Sequence, residues 1–184
     1  MKRLFVAPLA VAVLCSGAIG ASASTLSKQL VSPTELPSWS RYFVSAALLA
    51  GCPESSFEAA RGATREFLVK RFSKTLLAEK LVESSNPTKA YASAVAIVAN
   101  CHVATTKKGT VTSERIKSLT LGNFSVPLRA FSLSAVVDRV AVTGYVVYAS
   151  KGDVLLELGE ISTGSINARG FTADVRLALA KIRP

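Results

Sequence analysis

The sequence contains few of the residues that metal binding and nucleophilic catalysis require. Among its 184 residues there are three cysteines and a single histidine, His102. One histidine excludes a zinc site built from several histidines and leaves one candidate base for a serine or cysteine triad. We interpret His102 as a surface residue at a helix end, with axial ligation of a haem as the alternative. The sequence therefore predicts no metal site, no cofactor and no catalytic residue.

Carboxylates offer two candidate acid–base pairs. Glu157 and Glu160 lie close together in sequence, and Asp138 and Asp153 lie in predicted turns. Turn carboxylates mainly accept hydrogen bonds from nearby backbone amides, and no candidate base or orienting group accompanies either pair. Glycine-rich phosphate loops are missing as well. We expect that the protein is not an enzyme; a secreted hydrolase is one alternative.

The first 23 residues have the organisation of a secretory signal peptide. Lys2 and Arg3 precede an apolar run over Leu4–Leu14, and Ala21-Ser22-Ala23 supplies the small residues that signal peptidase accepts. The run is shorter than the roughly 20 residues that a transmembrane helix needs. The sequence predicts cleavage after Ala23 and a secreted or periplasmic protein.

The positions of the three cysteines are relevant to the prediction of export. Cys15 follows Leu14, whereas a lipobox has a small residue before its cysteine, so lipid anchoring at Cys15 is the less favoured alternative. After cleavage, Cys52 and Cys101 remain as a pair in an oxidising compartment. We predict a disulfide between them, with two buried free thiols as the alternative.

Charge points to a possible partner surface. The formal net charge is +10, and it falls to +8 when Lys2 and Arg3 are removed with the signal peptide. Such a balance favours anionic partners, although it also serves solubility. A predicted second helix collects basic residues at i,i+4 spacing, which could lie on an anionic membrane surface or form a solvated face. These residues are Arg61, Arg65, Lys70, Arg71 and Lys74. We expect no nucleic-acid partner for an exported chain.

Hydrophobic spacing predicts helices in the first half of the chain. Residues 24–37 are polar and are predicted to be a flexible leader. Spacings of three and four residues predict one helix from Ser38 to Ala50 and a second from Ser55 to Val82. Asn86 and Pro87 mark the start of a third helix, which continues towards Cys101. The helical part is thus predicted over 38–106.

The second half of the chain is predicted to be a sheet and a closing helix over 110–184. Alternating and β-branched residues predict about four strands of a meander joined by tight turns. The strands are expected at Leu119, Phe131–Val137, Val140–Tyr148 and Val154–Leu158. A loop over Thr163–Gly170 leads to a helix capped by Thr172, with Phe171, Val175, Ala178 or Leu179, and Ile182 facing inward. Together, 38–184 is predicted to be a single α+β domain with helices on an antiparallel sheet.

The strand–turn–strand segment carries a family resemblance. Val142–Tyr148, followed by Lys151-Gly152-Asp153 and Val154–Leu158, resembles the extracellular sensor-like domains of actinobacteria, which occur on serine/threonine kinases and as free secreted or lipid-anchored proteins. The resemblance implies an antiparallel sheet with helices packed on one face, a disulfide and a cleft for a ligand.

These features together favour an exported, non-catalytic, sensor-like binding domain. It would recognise a small ligand or a protein partner in the cell envelope or outside the cell. The alternative from the carrier class is a shuttle for a lipid or another small hydrophobic ligand, suggested by a hydrophobic content of 49%.

Overall fold

The computed structural model describes residues 25–42, 64–70, 73–101, 103–104, 111–137 and 139–183. Within them lie eight strands and two helices of fourteen residues each, α1 and α2. The strands are β1 (Trp39–Arg41), β2 (Thr64–Lys70), β3 (Thr75–Glu83), β4 (Val103–Ala104), β5 (Val111–Leu119), β6 (Leu128–Val137), β7 (Val140–Lys151) and β8 (Val154–Ser162). The helices are α1 (Pro87–Asn100) and α2 (Ala168–Lys181). The predicted signal peptide, 1–23, lies outside these ranges.

All eight strands belong to one antiparallel sheet with the order β1-β2-β3-β8-β7-β6-β5-β4. Two meanders, β1–β3 and β4–β8, meet where β3 pairs with β8. Helix α1 connects β3 near the middle of the sheet to β4 at its far edge. The predicted α+β class is confirmed, but the expected four strands fall short of the eight observed.

The prediction of two helices before Asn86 is wrong wherever the structure describes that region. Residues 39–41 form a strand, and the paired strands β2 and β3 occupy 64–70 and 75–83, where the second helix was expected. Most of β3 is buried on both faces. The apolar residues of β3 fall on both of its faces and are interrupted by Glu79 and Lys80, and periodicity alone does not separate such short apolar stretches from a buried helix. Residues 43–63 lie outside the described ranges.

The elements after Asn86 follow the sequence more closely. Asn86 caps α1 by accepting a hydrogen bond from the backbone N–H of Lys89 at 3.1 Å, and Pro87 is the first helical residue, as predicted. Arg139, in the turn between β6 and β7, has a φ of 65°, and Gly152, between β7 and β8, has a φ of 61°. These left-handed conformations fit the tight turns predicted there.

Each face of the sheet is covered by its own helix, so the expectation that helices pack on one face alone is wrong. On one face, called the α1 face, α1 packs on a cluster with Phe131, Val146 and Tyr148. On the opposite face, called the α2 face, α2 buries Phe171, Val175 and other apolar residues. Successive side chains of a strand point to opposite faces, so β7 contributes residues to both clusters. The inward residues predicted for the last helix, Phe171, Val175, Ala178, Leu179 and Ile182, are all buried.

The segment predicted to be a flexible leader is packed from residue 25 onward. Leu26, Leu30 and Val31 are buried in the cluster of the α2 face. The side chain of Lys181, in α2, donates to the carbonyl oxygen of Leu30 and to Glu35 Oε2, the second contact at 2.6 Å. Residues 25–37 therefore belong to the folded domain.

Candidate functional site

Two rows of polar side chains cross the α2 face. Lys117 on β5 pairs with Ser132 on β6, and Ser132 pairs with Tyr145 on β7. In the neighbouring row, Arg115 pairs with Ser134, which pairs with Thr143. The same row continues through Ser162 on β8 to Thr75 on β3. Adjacent strands lie about 4.8 Å apart, so each row is a closely spaced ladder of polar groups.

Alternation along the strands fixes the side of the sheet on which these groups lie. Ile116 is 3% exposed and belongs to the cluster of the α1 face, so its neighbours Arg115 and Lys117 point to the α2 face. Phe131 and Leu133 place Ser132 and Ser134 on the α2 face in the same way. The alternation of Arg115 and Lys117 with the apolar Ile116 is the sequence signal that could have indicated this placement.

This part of the α2 face is open to solvent. We call it the open surface, and it consists of Arg115, Lys117, Ser132, Ser134 and Thr143. All are exposed except Ser132, which is half-buried. Two cations therefore stand in solvent beside three hydroxyls on a surface held by the pairing of three strands.

Two of these hydroxyls donate hydrogen bonds within the protein. Ser132 Oγ donates to the carbonyl oxygen of Lys117 at 3.4 Å, and Thr143 Oγ1 donates to the carbonyl oxygen of Gly164 at 2.8 Å. A hydroxyl has one hydrogen to donate and two lone pairs that accept. The oxygens of Ser132 and Thr143 thus present acceptors to a ligand, whereas Arg115 and Lys117 present donors and positive charge.

The acidic side chains described on the α2 face lie on other elements. Glu66, Glu79 and Glu160 are on β2, β3 and β8, Asp174 is on α2, and Glu35 is in the segment 25–37. Burial, and to a smaller extent the charge of the nearby Asp174, raises the pKa of Glu160 to about 7. Burial likewise raises the pKa of Asp174 to about 6. Positive charge on β5 is therefore separated from these carboxyl groups across the face.

A second feature is a cleft of about 400 Å³ at one end of α2. The cleft is lined by Asn123, Phe124, Ser125, Val126, Lys151, Arg176, Leu179 and Ala180. The guanidinium of Arg176 lies 4.7 Å from the centre of the Phe124 ring, and its Nη2 donates to the carbonyl oxygen of Asn123 at 3.3 Å. Lys151 Nζ donates to the carbonyl oxygen of Leu179 at 2.7 Å. The cleft thus joins apolar walls to two cations.

The basic residues singled out in the sequence do not share a helix. Lys70 ends β2, with its Nζ 5.6 Å from the centre of the Trp39 ring, and Lys74 is exposed in the β2–β3 turn. Arg61, Arg71 and the side chain of Arg65 lie outside the described part of the chain. The i,i+4 alignment that would have joined these residues requires a helix, and β2 and β3 occupy its place.

The predicted carboxylate pairs are separated as far as the structure describes them. Glu157 accepts a hydrogen bond from the hydroxyl of Tyr148 at 3.3 Å, in the cluster of the α1 face. Glu160 lies an odd number of positions further along β8 and points to the α2 face. Asp153 is exposed in the β7–β8 turn. Asp138 and His102 lie outside the described ranges.

Of the two predicted disulfide cysteines, the described residues include Cys101. It directly follows α1 and is 8% exposed within the cluster of the α1 face. Cys52 falls outside the described residues, so the Cys52–Cys101 pairing stays a prediction. The described residues contain no group of three or more His, Cys, Asp or Glu side chains that could hold a metal ion. None of the helices described is long and apolar enough to cross a membrane.

Comparison with known proteins finds partial similarity to solved structures. No protein family and no curated protein matches the sequence. A similar solved structure is the crystal structure of the extracellular domain of PknH from Mycobacterium tuberculosis, with 8% sequence identity and a TM-score of 0.48. The match covers 65% of this chain and 63% of that one, so the chain spans less than two thirds of the matched structure. No ligand, partner or activity is carried over from it.

Proposed function

We propose that the protein is an exported, non-catalytic binding domain of the sensor-like type, and that the open surface holds an anionic ligand or partner. The observation that carries the proposal is the row in which Arg115 pairs with Ser134, and Ser134 with Thr143, beside the row in which Lys117 pairs with Ser132. Positive side chains with hydrogen-bonding neighbours form the strongest contacts with carboxylate and phosphate groups. The signal-peptide pattern over 1–23 supports export.

The test compares two double variants of equal net charge. Arg115→Ser with Lys117→Ser removes both cations of the open surface, whereas Lys89→Ser with Arg129→Ser removes two exposed cations elsewhere, on α1 and β6. If the open surface binds anions, the first variant elutes from a carboxylate matrix at clearly lower salt than the second, because surface charge pairs are screened by salt. Equal elution of the two variants would show that only the overall charge matters and would refute the proposal.

Two further measurements address export and the absence of catalysis. Amino-terminal sequencing of the protein recovered outside the cytoplasm should begin at Ser24; retention of 1–23 in the cytoplasm would contradict export. A ligand bound to the open surface should be released with its mass unchanged after prolonged incubation, whereas a cleaved product would identify an enzyme.

A carrier of a small hydrophobic ligand is the second candidate, supported by the cleft beside α2. Phe124, Val126 and Leu179 supply apolar contacts, and Arg176 stands where an acidic head group would lie. Substitution of the exposed Ala180 by Trp should fill the cleft and abolish any co-purifying ligand in native mass spectrometry. A ligand retained by Ala180→Trp would rule out this site.

A further inference from the structure

We infer, resting on the proposed function, that the ligand of the open surface is an acidic polysaccharide, a polymer that carries both carboxylate groups and free hydroxyls. The open surface offers two kinds of contact to a ligand, positive charge and hydrogen-bond acceptors. Arg115 and Lys117 call for negative charge, and the oxygens of Ser132 and Thr143, whose hydrogens are used within the protein, call for donors.

A simple anion meets only half of this requirement. Ionised phosphate and carboxylate groups accept hydrogen bonds and do not donate them, so they fit the cations of β5 and the hydroxyl of Ser134 but not the oxygens of Ser132 and Thr143. A sugar hydroxyl both donates and accepts. A sugar polymer with acidic groups therefore matches the surface on both counts, with the acid against β5 and ring hydroxyls against Ser132 and Thr143.

The polar character of the surface argues against a membrane or a protein partner. The large apolar side chains exposed in the described residues are Tyr42 and Val140, and neither belongs to the open surface. Binding in a membrane interface depends on apolar side chains that insert, and a stable protein interface depends on a buried apolar or aromatic centre. A hydroxyl-lined sheet with cations at one side instead suits a hydrated polymer lying across the strands.

The dimensions of the surface also fit an extended polymer. The two rows span β5, β6 and β7, so the open surface extends about 10 Å across the strands. Side chains on one face of a strand repeat every second residue, which separates the rows by about 7 Å. A ligand that contacts both rows and three strands must cover several sugar rings rather than one.

The experiment measures the binding of the purified protein to four probes. These are a polyuronate such as alginate, inorganic polyphosphate as an anion without hydroxyls, dextran as a neutral sugar polymer, and anionic phospholipid vesicles. The variants are the Arg115→Ser/Lys117→Ser pair and Thr143→Val, which removes the hydroxyl at nearly constant volume. The Lys89→Ser/Arg129→Ser pair is the control for charge.

We expect the polyuronate to bind most tightly. Loss of the two β5 cations should weaken it by about tenfold or more, and Thr143→Val should weaken it by about threefold while leaving polyphosphate unchanged. Polyphosphate bound as tightly as polyuronate, with no effect of Thr143→Val, would overturn the polysaccharide inference and leave the proposed anion surface standing. Vesicle binding that is lost in the β5 variant and exceeds polyuronate binding would overturn it in favour of a membrane. If the β5 variant and the control pair bind every probe alike, the proposed function itself fails.

Discussion

The backbone N–H of Val31 donates a hydrogen bond of 2.7 Å to Oε2 of Glu79, 48 positions further along the chain. Glu79 is 2% exposed, and its second oxygen, Oε1, has no hydrogen-bond partner among the described residues. Burial raises the pKa of Glu79 to about 7, against the lowering effects of the Val31 hydrogen bond and the Lys181 charge. The segment that carries Val31 is thus held to the sheet by an acid that folding makes easier to protonate.

The first prediction concerns the effect of pH on stability. Between pH 4.5 and about 7, Glu79 is protonated in the folded protein and ionised in the unfolded chain. The folded state therefore binds the extra proton, so the free energy of unfolding decreases as pH rises through this window. A pKa raised from 4.5 to about 7 corresponds to about 3 kcal/mol for this group. Urea unfolding at pH 4.5 and at about pH 7 should show a lower free energy of unfolding at the higher pH.

Glu79→Gln should remove the contribution of Glu79 to that pH dependence, because the amide does not titrate. Part of the slope should remain, since the pKa of Glu160 is raised in the same direction. The matched control is Glu83→Gln at the exposed end of the same strand. An unchanged pH dependence in Glu79→Gln would contradict the assignment.

The second prediction concerns Gly144 in the middle of β7. A Cβ at this position would lie 2.7 Å from the carbonyl oxygen of Glu160 and 2.7 Å from Cδ1 of Leu133. Backbone of the paired strand cannot move aside cheaply, so Gly144→Ala should lower the free energy of unfolding by about 2 kcal/mol or more. Gly164→Ala is the control, because its nearest atom, Ser162 Oγ, lies at 3.8 Å. Equal stability of the two variants in denaturant melts would refute the close approach.

The third prediction distinguishes two possible caps of α2. The side chain of Asn167 accepts hydrogen bonds from the backbone N–H groups of Arg169 and Gly170, at 3.0 and 3.3 Å. Thr172, the cap expected from the sequence, instead donates to the carbonyl oxygen of Ala168 inside the helix. Asn167→Ala should therefore lower the free energy of unfolding by about 1 kcal/mol, and Thr172→Ala by clearly less. The opposite order in thermal melts would restore Thr172 as the cap.

The fourth prediction is the disulfide between Cys52 and Cys101. Thiol alkylation of the denatured exported protein should label neither cysteine before reduction and both afterwards. In the chain-entropy account, replacement of both cysteines by alanine should lower the free energy of unfolding by about 4 kcal/mol, because the bond closes a long loop in the unfolded chain. Labelling before reduction would indicate free thiols and would remove this contribution.

The open surface could be predicted from the sequence only in part. Alternation of Ser132 and Ser134 with apolar residues indicated a strand with one solvated face, and the structure confirms it. Arg115 and Lys117 flank Ile116 in the same manner, but their alignment with β6 depends on register. Register is decided by pairing between strands that the sequence does not specify locally.

The sequence by itself determined the elements with local signals. The cap formed by Asn86 and Pro87, the Gly152 turn and the inward face of α2 all depend on residues within a few positions of one another. These elements were predicted correctly because the same short-range hydrogen bonds and spacings form in any tertiary context.

Only the tertiary structure decided the secondary structure of 39–41, 64–70 and 75–83 and the position of the segment 25–37. Residues 75–83 satisfy a helical pattern as well as a strand buried on both faces, and pairing with β8 selects the strand. Residues 25–37 fold onto the sheet because Glu79 and Lys181, distant in sequence, provide hydrogen bonds for their backbone. In these segments, strand pairing and burial outweigh the local preference for a helix or a flexible chain, because they provide hydrogen bonds and apolar contacts that neighbouring residues in the sequence do not.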